Sequence, residues 1–577
     1  MAEQTLEDAP GPLAGVLDGA AGVAGIALES AFPLGARRDA FAEAYRVLRP
    51  GDRMAVADLV LPDDPREERI RALHGWRSVA SADDWHDRPG YVAELRRAGF
   101  VDVELLDVTD DAHEPLLLGL LERRLRAADG PLPARDETLQ GLAGLVANTE
   151  LVIATATRPV DPRSPDLIGD PFTAYAEIRE RTRLVRASMP GVEPFWMVTR
   201  YDDAKLVLSD PRFVVNSANV PGEAETANRI EQYQLANGIS PEHVAFSRAN
   251  LPSLDGADHQ RLRGLVSKAF TPRRVARLRP RVAEITARLL DRLPDLADED
   301  GVVDLLRHFA TPLPLTVICE LVGVPEDERD RFRVAVWEWM AGAAPAGPGR
   351  GGERETAFGY VRGLIERRRT HPEDDLASAL IRVHDEDGER LTDSELVWTI
   401  LTLVVAGYET TMHFISNGTV GLLTNPGQLA LLRDHPDLMP RAVEELLRRC
   451  DPVLGAHFRY ATEDVEIGGE TVAKGEAVMP IITGANHDPR VFDDPERLDL
   501  ARDGARDQSH LGFGHGMHFC LGAALARQEA AVAFEGLLRR FPDLALAVEP
   551  GELRHGREHL WKFLTLPVRL GPESPKR

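Results

Sequence analysis

Two rhythms of apolar spacing alternate along this chain. In the first quarter the runs are short and strand-like: RMAVADLVL (53–61), FVDVELLDV (100–108) and ELVIATA (150–156) are rich in strand formers and bounded by turn residues. Around them, DAFAEAYRVL (39–48) and GYVAELRRAG (90–99) space their apolar residues as amphipathic helices do, and RPGD (49–52) marks a turn. Up to about residue 158 the predicted texture is α/β. Beyond it the pattern is mainly helical, with short strand pairs such as FWMVTR (195–200) and VEIGGETV (465–472). TATRPVDPRSPDLIGDP (155–171) predicts a linker, dividing the chain into 1–158 and 159–577, and AGAAPAGPGRGGE (341–353) predicts a break between helical blocks. A long apolar run, ELVWTILTLVVAGYETTMHFISNGTVGLL (395–423), reads as a buried helix. Glu409, Thr410 and Thr411 in its middle need a reason, because buried polar groups are costly unless they are used.

Composition narrows the classes. With 577 residues there is room for two domains, and 43% hydrophobic content is that of a globular protein. A formal net charge of −25 excludes a general nucleic-acid-binding surface and favours small-molecule or protein partners. Arg far outnumbers Lys, a bias of GC-rich coding rather than of function. Three scattered cysteines, Cys319, Cys450 and Cys520, make no disulfide framework. The acidic start MAEQTLEDAPGPL shows no signal peptide, and no uninterrupted apolar stretch spans a bilayer. A cytoplasmic protein without membrane contact is expected.

The densest chemistry is GFGHGMHFCLG (512–522), with four glycines in eleven residues. Such a loop lets backbone N–H groups approach one atom closely, here the Cys520 sulfur. The apolar spacing of 521–541 predicts a helix starting just after Cys520, and a helix N-terminus favours a thiolate. Three readings follow: a small buried hydrophobe, a zinc ligand lacking paired cysteines at metal spacing, or the single axial thiolate of a haem iron.

Phe513, Gly514, Gly516, His518, Cys520, Leu521 and Gly522 together resemble the haem-binding loop of the cytochrome P450 family. The other motifs of that family follow in chain order. VVAGYETTM (404–412) resembles its distal helix, which implies that Ala406 and Gly407 border the haem, that Gly407 loosens the helix, and that Glu409 and Thr410 relay protons to bound dioxygen. Glu445 and Arg448, alone an ordinary surface pair, resemble its buried Glu-x-x-Arg, completed by Arg497 of PERL or, less well, by His487. His259 and Arg263 in DGADHQRLRGLVSKAFT could simply be an exposed basic helix face. The resemblance makes them propionate contacts together with Arg459 and His518. It implies a helix-rich P450 fold with small β-sheets, haem b as cofactor, and an O2-dependent monooxygenase acting on a secondary-metabolite intermediate, polyketide- or macrolide-like. Electrons would come from NAD(P)H through a separate ferredoxin and ferredoxin reductase, with Arg527 near the docking face. Substrate contacts are expected from 214–254, 341–353, Val404 to Ala406 and Val453 to His457.

Residues 27–62 resemble the latter half of S-adenosylmethionine-dependent methyltransferases, with the later strand patterns as that fold's last strands. Ala20 and Ala24 stand where the family's cofactor turn has glycines, and its second and third strands are missing. This implies an incomplete Rossmann-like α/β fragment that no longer methylates and serves for docking or a homodimer contact. A bifunctional monooxygenase–methyltransferase and a haem-binding helper of a partner enzyme are the rival readings.

Overall fold

The computed structural model describes residues 23–28, 41–42, 44–46, 48–60, 87–107, 150–222, 228–236, 244, 250–340, 357–386, 391–502, 509–556 and 560–572. The chain divides into two compact units: Met1–Asp161 with Val185–Ser188, and Pro162–Leu184 with Met189–Arg577.

The first unit holds a four-stranded sheet of β1 (Val23–Leu28), β2 (Arg53–Val60), β3 (Val101–Asp107) and β4 (Glu150–Thr157), in the order β1-β2-β4-β3. β1 and β2 are parallel, whereas β4 runs antiparallel to both of its neighbours. Helix α1 (Arg88–Arg97) begins with Asp87, whose carboxylate accepts the N–H of Gly90 (2.8 Å). A small core of Phe41, Met54, Val60, Tyr91, Leu95, Phe100 and Val152 lies on the sheet. Ala24 sits inside β1 and therefore not in a turn, while Ala20 lies outside the described residues.

The expected linker is largely ordered structure. Its first residues complete β4, and Pro165 and Pro171 each open a short helix behind a capping Ser164 or Asp170. Proline fits a first helical turn because its missing N–H would be unpaired there anyway.

The second unit is helix-rich. Its strands include β5 (Val192–Val198), β6 (Phe213–Val214), β7 (Arg459–Ala461), β8 (Val465–Ile467), β9 (Glu470–Val472) and β10 (Ala477–Pro480). β10 lies between β5 and β7, β7 also pairs with β6, and β8 and β9 form a hairpin. The site is framed by α2 (Gly256–Ala269), α3 (Pro272–Leu296), α4 (Pro312–Val322), α5 (Asp393–Leu423), α6 (Met439–Cys450) and α7 (Ala523–Arg540). α5 starts at a reciprocal cap. Thr392 Oγ1 accepts from the Glu395 N–H (3.1 Å), and the Glu395 carboxylate accepts from the Thr392 N–H (2.7 Å). Glu395 also pairs with Arg261 of α2. Leu396, Ile400, Leu401, Val404, Met412 and Ile415 of α5 sit in the large apolar core with Ile318 of α4 and Val532 of α7.

Candidate active site

The loop before α7 is closed by its own backbone. Gly514 N–H donates to the Leu511 carbonyl (2.7 Å), Phe519 N–H to Gly516 (3.1 Å) and Cys520 N–H to Phe513 (2.8 Å). Gly516 has φ +71°, and a Cβ there would fall 2.9 Å from the Leu208 carbonyl oxygen, so a larger residue would be strained and crowded. Phe513 is clamped from outside by the Arg527 guanidinium, 4.4 Å from its ring centre.

Cys520 is half-buried, unlike the buried Cys319 and Cys450, whose thiols burial pushes up to about 12 and about 11. Burial raises the Cys520 thiol as well. The Gly522 and Ala523 N–H groups at the start of α7, with Arg263 and Arg527, offset that rise only in part. The helix terminus expected to favour a thiolate is therefore present but too weak alone. A cation bonded to the sulfur would supply the rest.

Beside this loop a basic cluster gathers from three distant segments. The rings of His259 and His518 stand 4.3 Å apart between centres. Both ring nitrogens of His259 and Nε2 of His518 are buried without a hydrogen-bond partner. Arg263 donates to the Phe519 carbonyl (2.6 Å), and buried Arg459 donates to the carbonyls of His457 (3.1 Å) and Phe458 (3.3 Å). Burial, aided by Arg459, His259, His457 and Arg263, drives His518 down to about 3. Burial and Arg263 lower His259, and burial lowers Arg459 to about 10. Donors packed so that each disfavours its neighbour's proton are matched by a ligand with several anionic oxygens.

α5 runs unbroken through Gly407. This glycine brings α4 close: a Cβ there would lie 3.2 Å from Ile318 Cδ1. Leu403, Ala406, Gly407 and Thr410 share one face and are only partly covered, with Ala406 exposed, although most of the helix is buried. Thr410 Oγ1 donates to the Ala406 carbonyl (2.7 Å), leaving its lone pairs to accept. Glu409 faces Lys562 at 3.6 Å, and Tyr408 is buried in the core.

Glu445 and Arg448 form a buried bidentate pair at 2.8 and 2.9 Å. The expected third member, Arg497, is corrected. Its side chain turns outward to Asp499, and only its carbonyl accepts from Arg448 (3.3 Å). Arg502 takes the place, with Nε 3.1 Å from both Glu445 oxygens. His487 is not the third member either, since its Nδ1 meets Glu496 (2.8 Å). Arg527, expected near a docking face, is held by Glu444 at 2.6 and 2.9 Å. Glu444 also meets His510 (3.2 Å), whose Nδ1 accepts the Gly512 N–H (3.1 Å). Burial would raise the Glu444 carboxyl, but His510 and Arg527 outweigh it and hold it at about 2.

The cytochrome P450 family model matches residues 354–568. The chain is 42% identical over 392 residues to the cytochrome P450 monooxygenase PikC of Streptomyces venezuelae, covering 67% of this chain and 88% of the relative. The chain belongs to the cytochrome P450 family. A second relative, the 6-deoxyerythronolide B hydroxylase of Saccharopolyspora erythraea, is 41% identical over 416 residues, 70% of this chain and 98% of its own. The solved structure of the bacillaene polyketide synthase P450 PksS of Bacillus subtilis superposes with a TM-score of 0.61 at 34% identity, over 71% of this chain and 99% of that one.

This P450 is accordingly a monooxygenase that uses haem, O2 and electrons from redox partners. The residues present fit haem. Buried donors of His259 and His518 are left without partners, Cys520 is only half-buried, and one face of α5 is uncovered at Ala406. Lys562, Arg502 and the Glu444–His510 pair escaped the sequence reading. Lys562 carried one available signal, being one of five lysines in an Arg-dominated chain. Of the expected substrate segments, 341–353 and parts of 214–254 lie outside the described residues. No helix among the described residues is long and apolar enough to cross a membrane.

Proposed function

We propose that Cys520 would hold the haem b iron as its thiolate ligand and that this P450 oxygenates a polyketide- or macrolide-type intermediate of secondary metabolism. The net change is substrate C–H plus O2, two electrons and two protons giving C–OH and water; epoxidation of a C=C balances in the same way. The observation that carries the haem reading is the basic cluster, whose unpartnered His259 and His518 nitrogens, with Arg263 and Arg459, would hold the two propionates. When bound, the haem supplies reductive activation of O2, with thiolate ligation favouring O–O cleavage. The chain supplies the remainder. Phe513 and Arg527 brace the loop, Glu445, Arg448 and Arg502 hold the segment behind it, and Gly522 leaves its N–H aimed at the sulfur. Glu409 and the outward lone pairs of Thr410 pass protons through water toward the open face at Ala406 and Gly407. The substrate class is supported by the names of the similar 6-deoxyerythronolide B hydroxylase and polyketide biosynthesis P450 PksS; Val405, Ala406 and Val453 to His457 would contact the substrate, whereas Val404 is buried in the core. Electrons would pass from NAD(P)H through a ferredoxin reductase and a ferredoxin.

The test is the absorption spectrum of the reduced protein under carbon monoxide, for wild type and Cys520→Ser. A strongly red-shifted Soret band that disappears in the variant is expected. Its absence in wild type, or its persistence in the variant, overturns the ligand assignment.

The first 158 residues are read as an inactive methyltransferase remnant used for docking. Support comes from strand order: a parallel pair followed by an antiparallel strand inserted before the last one, as in the C-terminal half of that fold. Calorimetric titration with S-adenosylmethionine should give no heat of binding; saturable binding would favour the bifunctional reading instead.

A further inference from the structure

Lys562 stands with Nζ 3.6 Å from Glu409 Oε1, and only 12% and 14% of the two side chains is exposed. Screening by water is weak at such a site, so the attraction exceeds that of a surface pair.

The lysine is firmly placed. It lies in a hairpin in which Gly556 N–H donates to the Lys562 carbonyl (2.9 Å) and Leu564 N–H to the Arg554 carbonyl (2.9 Å). Its stem passes Gly556, where a Cβ would fall 3.0 Å from both its Cγ and its Cε. The preceding residue, Trp561, donates its N–H to the Pro452 carbonyl (2.8 Å) and stacks on His555. The Trp561 carbonyl accepts from the Asn417 side-chain amide (2.9 Å). Asn417 follows Glu409 by eight residues, a little over two turns further along α5. The helix that carries Glu409 therefore also pins the hairpin that carries its partner.

We infer that Lys562 is a positioning residue for the oxygenation step, fixing the Glu409 carboxylate beside Thr410 so that protons pass from solvent to the open face of α5. The inference rests on the relay role proposed for Glu409 and Thr410. A relay carboxylate has to release a proton as readily as it accepts one. The Lys562 ammonium compensates the anion left after each transfer and stops the half-buried carboxylate from swinging away. Without that charge Glu409 would have an uncompensated buried anion to avoid, and the water path to Thr410 would lose its donor.

The test uses the haem-loaded full chain as wild type, Glu409→Gln, Lys562→Met, the double variant and Lys562→Arg. Thermal unfolding is measured first. The two single losses added together should exceed the loss of the double variant, so that Lys562→Met costs little in the Glu409→Gln background. Second, peroxide released per NADPH is measured with a surrogate ferredoxin and reductase. Lys562→Met should raise it at least about twofold, as Glu409→Gln does, through loss of the placed proton donor, and Lys562→Arg should restore it. Additive thermal losses overturn the inference. So does wild-type peroxide release in Lys562→Met when Glu409→Gln is altered. Unchanged release in Glu409→Gln itself overturns the relay reading, and this inference with it.

Discussion

The Nε of Arg502 stands 3.1 Å from each carboxylate oxygen of Glu445, which also holds the bidentate contact from Arg448. Arg502 also donates to the carbonyls of Asp493 (2.6 Å), Asp494 (3.3 Å) and Arg497 (3.0 Å). One guanidinium thus neutralises a buried carboxylate and ties down the loop that leads to the Cys520 segment. Arg502→Met should therefore destabilise the protein by about 2–3 kcal/mol, as loss of a partner from a buried charge does. Arg497→Ala, which removes an exposed side chain, should stay within about 0.5 kcal/mol. Denaturant unfolding of both variants checks the contrast, and equal losses would contradict it.

Asp451 makes stability depend on pH in an unusual direction. Its Oδ1 accepts the Val453 N–H (2.9 Å), its Oδ2 is buried without a partner, and burial raises the carboxyl from 3.8 to about 8. Between these values the folded chain holds a proton that the unfolded chain has released. Asp451 therefore lowers stability progressively as pH rises through that window, and its effect levels off above about 8. Asp451→Asn keeps the acceptor for Val453 without the ionisable group. Its melting temperature should exceed that of wild type, by a margin that widens from about pH 5 to about pH 8. A pH-independent difference would count against this account.

Thr410 offers an acceptor only because its proton is committed to the Ala406 carbonyl. Thr410→Ala should leave the carbon monoxide spectrum unchanged. Oxygenated product should fall on the order of 100-fold, with electrons diverted to peroxide. The ratio of peroxide to NADPH consumed is the measurement, and an unchanged ratio would remove Thr410 from the relay.

What could be read from sequence was what is local. The Cys520 loop lies within eleven contiguous residues and α5 is one apolar run, so both were visible without tertiary information, whereas the Thr392–Glu395 cap that starts α5 was not read. The junction between the two units falls within 155–171, but the short helices there were not legible, because Ser164-Pro165 and Asp170-Pro171 are equally good loop residues and helix caps; only packing decides between them. Arg497 and Arg502 share one loop, and the path of its backbone, not its composition, turns one in and the other out. The pairing of Glu409 with Lys562 spans 153 positions of chain and leaves no periodic trace. The close approach of Gly407 to Ile318 of α4 is likewise tertiary and leaves no local trace.

Glu395 closes the N-terminus of α5 and at the same time holds Arg261 of α2, which sits between His259 and Arg263. One carboxylate thus sets the register of the helix bearing Thr410 against the helix bearing two of the basic residues. The two helices cannot drift independently in evolution. A chimera that exchanges α5 with a relative's, without the matching α2, would inherit a mismatch at Glu395 even if every residue of the active site were preserved.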